Sequence, residues 1–260
     1  MNPALDEALL ARIEDAGINA SAPRQQRWVD GWLVRTCPGK AKRARCIQAV
    51  AAGREPVFGK LARCRPIYAA AGLRMVVRVT PFSRPDGLDA ALAALGMELI
   101  DDTRVMVKMN LGDDPSPQLQ PGFRVEVADA AAFTEWVGAE RGSSAGERTA
   151  HRDRTAQSPV PYEAMLMRNA AGDIVAGGQV VVEGDLAGLY DVFTTEAERS
   201  RGHATTLCRA LLRHATEGGA RIGYLQVDAA NEPALAVYRR LGFVAGYDYH
   251  YRAPAEAAPV

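Results

Sequence analysis

The chain has 260 residues, 48% hydrophobic and 24% charged, with 31 Lys+Arg against 31 Asp+Glu. That composition excludes wholesale disorder and gives room for two domains of ordinary size. The longest apolar runs fall well short of the roughly 20 residues a membrane helix needs, and residues 1–20 form an amphipathic acidic pattern unlike a signal peptide, so a cytoplasmic protein without membrane contact is expected.

Zero net charge hides an asymmetry. Residues 1–110 hold 17 basic and 11 acidic side chains, and residues 111–260 hold 14 and 20, so the first part is near +6 and the second near −6. The stretch CPGKAKRARC (37–46) concentrates the positive charge. No recognised nucleic-acid module surrounds it, so it reads as a solvated basic loop beside a strand, and no nucleic-acid partner is expected. Cys37, Cys46, Cys64 and Cys208 show neither CxxC nor Cys/His ligand spacing, and four free thiols without a metal site are expected.

Residues 61–109 read as helix, Gly, strand, loop, helix ending in Leu-Gly, and strand. The Pro-, Gly- and Asp-rich stretch 111–121 has no hydrophobic period and serves as the boundary between residues 1–110 and 122–260. Beyond it, FTEWVGAERG reads as a short amphipathic helix, and the polar residues 143–158 read as a helix or mobile loop. YEAMLMR (162–168), IVAGGQVVV (174–182) and AGLYDVFT (187–194) predict three antiparallel strands joined by hairpin-type turns.

A helix follows, with Ala204, Leu207, Cys208, Leu211, Leu212 and Ala215 on one face and Gly218-Gly219 as its stop. RIGYLQVDA (221–229) predicts a strand. NEPALAVYRRLGF (231–243) predicts a helix capped at Asn231 or Glu232 and stopped at Gly242, and YDYHYR (247–252) predicts a last strand. Superposing Leu95-Gly96 on Leu241-Gly242, an offset of 146, matches the elements of 61–109 to this ending in order, as an internal duplication would.

Two arginines and a glycine stand directly before the helix that starts near residue 203, in ERSRGHA. The first turn of a helix has unpaired N–H groups and a partial positive charge, so a phosphate can accept several bonds there; Gly202 and Ala204 would let it approach, and Arg199 and Arg201 would add charge. No G-x-x-x-x-G-K-[ST] loop occurs, and the preceding strand belongs to an antiparallel meander and not to a nucleotide-binding βαβ unit.

The order of elements and two motifs resemble the GNAT acyl-CoA N-acetyltransferase superfamily. Arg199, Gly202 and Ala204 match its [QR]-x-x-G-x-[GA] pyrophosphate loop, and Asn231, Ala234, Tyr238, Gly242 and Phe243 match its N-x-x-A-x-x-x-Y-x-x-x-G-F helix. The resemblance implies an α/β (α+β) fold of two tandem GNAT-like domains, each a mixed, mostly antiparallel twisted sheet flanked by helices. Residues 122–260 would be catalytic. Residues 1–110 would be a degenerate copy, since Pro85 and Leu92 stand where Asn231 and Tyr238 align and AAGREPVFGK has no pyrophosphate loop.

The activity implied is acetyl transfer from acetyl-CoA to a primary amine by direct attack in a ternary complex. Tyr238 would be the general acid and Asp191 the candidate base. Val192, Phe193 and Thr194 would present the backbone donor to the thioester carbonyl. Arg199, Ser200, Arg201, Gly202, His203, Ala204 and Thr205 would hold the pyrophosphate, with His203 as a solvent-facing filler, Asn231 would contact the pantetheine arm or order the helix start, and Ala234 would be a further cofactor-binding residue. On a regular strand at most one of Tyr190 and Asp191 should face the site. The acceptor pocket would draw on Phe133, Trp136, Glu140, Arg141 and Tyr162 together with the N-terminal part. A small-molecule or peptide amine fits, and the acidic C-terminal part favours a cationic one. The rival class is a non-enzymatic CoA-binding sensor or scaffold, and a tandem pair suits either a monomer or a homodimer.

Overall fold

A computed structural model describes residues 5–113 and 115–255. The first half runs α1 (Glu7–Ala20), β1 (Gln26–Val29), β2 (Trp32–Arg35), β3 (Ile47–Gln48), α2 (Val57–Ala70), β4 (Val77–Val79), α3 (Leu88–Ala94) and β5 (Met97–Lys108). The second runs β6 (Arg124–Ala128), α4 (Ala130–Glu140), α5 (Ala145–Ala156), β7 (Tyr162–Arg168), β8 (Ile174–Glu183), β9 (Leu186–Thr194), α6 (His203–Glu217), β10 (Ile222–Asp228), α7 (Glu232–Arg240) and β11 (Val244–Pro254). The polar stretch around 143–158 is the helix α5, opened by a capping box in which Ser144 and Glu147 satisfy each other's backbone N–H. Among the described residues no helix is long and apolar enough to cross a membrane.

All eleven strands join one sheet in the order β1-β2-β3-β4-β11-β5-β10-β9-β8-β7-β6. Only β3–β4 and β9–β10 are parallel, so the sheet is mixed and mostly antiparallel. The two sheets expected from the sequence are therefore joined, and they are joined by exchange. The last strand of each half leaves its own preceding strand: β11 lies between β4 and β5, and β5 lies between β11 and β10.

The duplication is visible in the register of that central pair. Applying the offset of 146 takes the pair Ala253↔Glu98 onto Val244↔Val107, takes Arg252↔Leu99 onto Ala245↔Met106, and takes Tyr249↔Thr103 onto itself. A pseudo-twofold axis thus passes near Thr103 and Tyr249. The helices α3 and α7 before these strands each end at a glycine in the left-handed region, Gly96 and Gly242, which lets the chain reverse into the strand.

On one side of the sheet α6 buries Leu207, Cys208, Leu211 and Leu212 in a core with Leu189 and Leu225. On the other side α1 buries Leu9, Leu10 and Ile13 among Tyr190, Tyr224 and Tyr249. A buried ion pair fixes α1 there. Glu14 accepts from Arg78 Nη2 on β4 at 3.0 Å and from the Tyr247 hydroxyl on β11 at 2.6 Å. The Arg78 guanidinium also lies 3.8 Å from the centre of the Tyr249 ring. Charge, hydrogen bonds and ring contact thereby tie α1 to strands of both halves, and this seam borders the cavity described next.

Candidate active site

The parallel pairing of β9 with β10 runs only from Leu186↔Ile222 to Leu189↔Leu225. Beyond that point β10 continues against β5 as far as Asp228↔Thr103, so the two strands splay and the edge of β9 from Tyr190 to Thr194 has no strand partner on that side. A cavity of about 400 Å³ opens in the splay, bounded by the ends of β9 and β10, by Tyr238 on α7, and by residues of the first half. An unpaired strand edge in a cavity offers backbone donors already fixed in place.

Tyr190, Asp191 and Val192 all line this cavity, which corrects the expectation that strand alternation would admit only one of Tyr190 and Asp191. The reason is a β-bulge. Phe193 pairs with Gly177 and Tyr190 with Gln179, so Asp191 and Val192 together oppose Gly178, and Asp191 adopts φ 51°. Aspartate tolerates that left-handed conformation better than most residues.

The Asp191 carboxylate meets Arg141 Nη1 at 2.6 Å and His151 Nε2 at 3.1 Å. Burial alone would raise its pKa, but His151 and Arg141 outweigh burial and hold the group well below the usual carboxylate range. The side chain is 21% exposed, between a surface pair and a buried one, so Asp191→Asn is expected to cost about 2 kcal/mol at pH 7. Because the folded pKa is depressed, that contribution is complete above the unfolded carboxylate value of about 4 and fades as pH falls below it. Denaturant titrations of both proteins at pH 7 and pH 3 check this: the gap should narrow at pH 3, and a constant gap would mean the Asp191 charge is not its source.

Following β9 in the chain, α6 starts at Gly202, which adopts φ 86° and supplies no side-chain cap to the first N–H groups of the helix. A Cβ placed on Gly202 would meet nothing within 4 Å, so the approach to those donors is open. Arg199 and Arg201 are exposed beside it. Arg201 leans on Glu198 at 3.2 Å, the Arg199 guanidinium lies 6.0 Å from the Phe193 ring centre, and Ser200 adopts φ 62°. Ala204 and Thr205 follow, half-buried, in the first turn.

His203 departs from the expected solvent-facing filler. Its ring is buried, stacks on Phe123 at 4.8 Å and places Nε2 3.0 Å from Glu198 Oε2. The incoming chain explains this: Gln120 donates to the Arg201 carbonyl at 3.2 Å, so residues 120–123 cover the first turn of α6 from beside it. Only the backbone of His203 remains with the open helix end.

Asn231 is the N-cap of α7, its Oδ1 accepting from Ala234 N at 3.2 Å, with Pro233 in the permitted first turn. Asn231, Ala234 and Tyr238 all line the cavity. Tyr238 is half-buried and packs edge-on against Phe243, with ring centres 6.0 Å apart. Burial pushes its phenol above the ordinary value, so it stays protonated through the neutral range. The cleft thus brings Asp191, Val192, Asn231, Ala234 and Tyr238 together. Phe193 and Thr194 continue the same strand edge, and residues 199–205 form the helix end beyond it.

Of the side chains expected to shape an acceptor pocket, Arg141 and Tyr162 line the cavity. Phe133 is buried in the core, Trp136 packs on Phe193 at 6.1 Å and Glu140 is exposed. Further parts of the wall come from residues the sequence did not nominate, among them Lys42, Arg43, Arg154, Gln226, Tyr249 and Tyr251. Lys42 and Arg43 belong to the basic stretch read as a solvated loop. It folds as a 3-10 turn against the cleft, where Lys42 pairs with Asp101, while Lys40 reaches Glu147 at 3.4 Å. The run of charge was a signal, but nothing local says which arginine turns inward.

A protein-family model described as "Probable histone acetyltransferase Rv0428c C-terminal" matches residues 8–252. The uncharacterized N-acetyltransferase YobR of Bacillus subtilis (strain 168) is 25% identical over 229 residues, covering 87% of this chain and 91% of its own. The solved structure of a GCN5-related N-acetyltransferase from Kribbella flavida superposes with a TM-score of 0.70 over 96% of both chains at 19% identity. A tandem GNAT protein from the clavulanic acid biosynthesis pathway superposes with a TM-score of 0.61 over 78% of this chain and 70% of that one, at 16% identity. At such identities the two solved structures speak for the fold.

Proposed function

The chain belongs to the acetyltransferase family described as probable histone acetyltransferase Rv0428c C-terminal, on the GNAT fold, and from that premise we propose that it transfers acetyl from acetyl-CoA to a primary amine by direct attack in a ternary complex. Residues 122–260 carry the reaction, residues 111–121 link it to the first half, and residues 1–110 are a non-catalytic copy that completes the acceptor side. What supports the reading is a cavity lined by the unpaired edge of β9 at Tyr190 to Val192 and by Tyr238 on α7, with the uncapped N-terminus of α6 following β9 in the chain.

In this proposal the pyrophosphate sits on the backbone of Gly202, His203, Ala204 and Thr205, with Arg199, Ser200 and Arg201 around it. The thioester carbonyl lies against the backbone of Val192 to Thr194, and the pantetheine arm passes Asn231 and Ala234. The amine enters as the free base and attacks the carbonyl carbon. A C–N bond forms, the C–S bond breaks, the nitrogen releases one proton to solvent, and the sulfur leaves as thiolate and takes a proton from Tyr238, which is reprotonated from solvent. Asp191, nominated as base, accepts a proton poorly while held by Arg141 and His151. Its part is to keep those two groups beside the acceptor.

Direct attack also suits the thiols. All four cysteines are buried, and burial raises Cys46 and Cys64 to about 11 and Cys208 to about 12, so they remain unreactive thiols at neutral pH. Initial rates with acetyl-CoA varied at several fixed amine concentrations test the order of events. Intersecting double-reciprocal lines are expected. Parallel lines would indicate an acetyl-enzyme intermediate and overturn the ternary-complex mechanism.

A further inference from the structure

The charge of the cavity wall runs opposite to that of the half of the chain in which most of the cleft lies. Its cations are Lys42, Arg43, Arg141 and Arg154, and its carboxylates are Asp191 and Asp228. Lys42 is taken by Asp101 and Arg141 by Asp191. Asp228 accepts from Ala230 N at 2.8 Å, near Asn231 at the pantetheine side. Among the described residues, Arg43 and Arg154 have no carboxylate partner.

Arg43 Nη1 is buried without any hydrogen-bond partner, and its guanidinium lies 5.4 Å from the centre of the Tyr190 ring. Among the described residues Arg154 makes one long hydrogen bond, 3.4 Å to the Tyr162 hydroxyl, and its guanidinium lies 5.9 Å from the centre of that ring. The rings of Tyr162 and Tyr190 meet edge-on at 5.4 Å, so the two arginines flank one aromatic pair. Gln226 Nε2, on the same cavity, is also buried without an acceptor, while its Oε1 takes the Tyr249 hydroxyl at 2.8 Å. Behind Arg43 stands Arg35, fully buried, whose guanidinium bonds Gln26 and the carbonyls of Ile18 and Arg43 but no carboxylate. Burial lowers its pKa to about 10, so it stays charged at neutral pH.

A buried donor without an acceptor is costly, and a buried guanidinium without a counter-ion more so. Two arginines and an amide donor on one cavity call for an oxyanion, and a lysine-rich peptide would meet repulsion there. Accepting the transfer reaction above, on which this inference rests, we propose that the acceptor is a primary amine bearing a carboxylate or phosphate, held by Arg43 and Arg154 at the Tyr162–Tyr190 end of the cavity. The oxyanion takes no part in bond changes; it orients the amine toward the thioester.

The test uses the full chain, acetyl-CoA and matched acceptor pairs, with release of free CoA thiol as the readout. Amino acids are set against their carboxamides, amino-sugar phosphates against the parent amino sugars, and a lysine-rich peptide is included. At least one carboxylate or phosphate acceptor should exceed its neutral match about tenfold or more in kcat/KM, and the pair concerned tells which oxyanion is meant. Arg43→Gln and, separately, Arg154→Gln should each cut that preference about tenfold, as expected for a charge-assisted bond. Equal or better use of the neutral match or of the peptide, no turnover of any anionic acceptor, or an unchanged preference in both variants would overturn the assignment. Calorimetric titration with acetyl-CoA separates the two levels: binding with the wrong acceptor preference removes the anionic class alone, whereas no binding removes the transfer reading and the acceptor class together.

Discussion

Tyr238→Phe is expected to lower kcat about a thousandfold while acetyl-CoA affinity changes by about twofold or less, since general acid catalysis contributes between about a hundred- and ten-thousandfold. The variant removes one oxygen and keeps the ring that packs on Phe243. No protein partner of that hydroxyl is lost, because Tyr238 lines the cavity and its hydroxyl has no hydrogen bond among the described residues. A loss confined to kcat means an interaction made in the transition state, when the thiolate needs its proton. Rapid-quench or thiol-release kinetics with saturating acetyl-CoA measure it. Unchanged turnover would remove the acid role and leave Tyr238 as a packed helix residue.

Gly202→Glu should weaken acetyl-CoA binding by about a thousandfold or more, through like charge beside the pyrophosphate, which costs several kcal/mol, and through occupation of the helix N–H groups by the new carboxylate. The open space around this glycine means the side chain needs no rearrangement of its neighbours. Its φ of 86° adds about 1–2 kcal/mol of backbone strain, so the melting temperature falls modestly while the fold persists. Thermal melts alongside the titration distinguish a blocked site from an unfolded chain. Retained affinity in the folded variant would place the pyrophosphate elsewhere.

What was legible in the sequence was local. Hydrophobic period and turn chemistry gave the three strands of the 162–194 meander nearly to the residue, and the glycines at 96 and 242 marked the ends of α3 and α7. The motif residues were readable for the same reason: Gly202 and Asn231 act at helix starts, and Ala234 and Tyr238 share a helix face, so short spacing carries the information. What was hidden depends on distant neighbours. The exchange of β5 and β11 leaves each strand's own alternation unchanged. The bulge at Asp191 shows only against its partner strand, where Gly178 faces two residues. His203 turns inward because Phe123 arrives from eighty residues earlier in the chain.

The basic stretch 37–46 teaches the same lesson for function. As composition it suggested solvent or nucleic acid; in the fold, Lys42 and Arg43 stand on the cavity wall because β2 and β3 bracket the turn that carries them. The acidic balance of residues 111–260 favours a cationic acceptor, whereas the anionic acceptor proposed above follows from the cavity wall, because net charge averages over a whole surface and the cavity draws its arginines from both halves.

On the proposed mechanism each chain holds one competent cleft, between β9 and β10, and the duplicated first half holds none. Calorimetric titration of the wild-type chain with acetyl-CoA tests it most directly. One site per chain is expected, abolished by Gly202→Glu. No binding, or a site that survives intact in that variant, would contradict it.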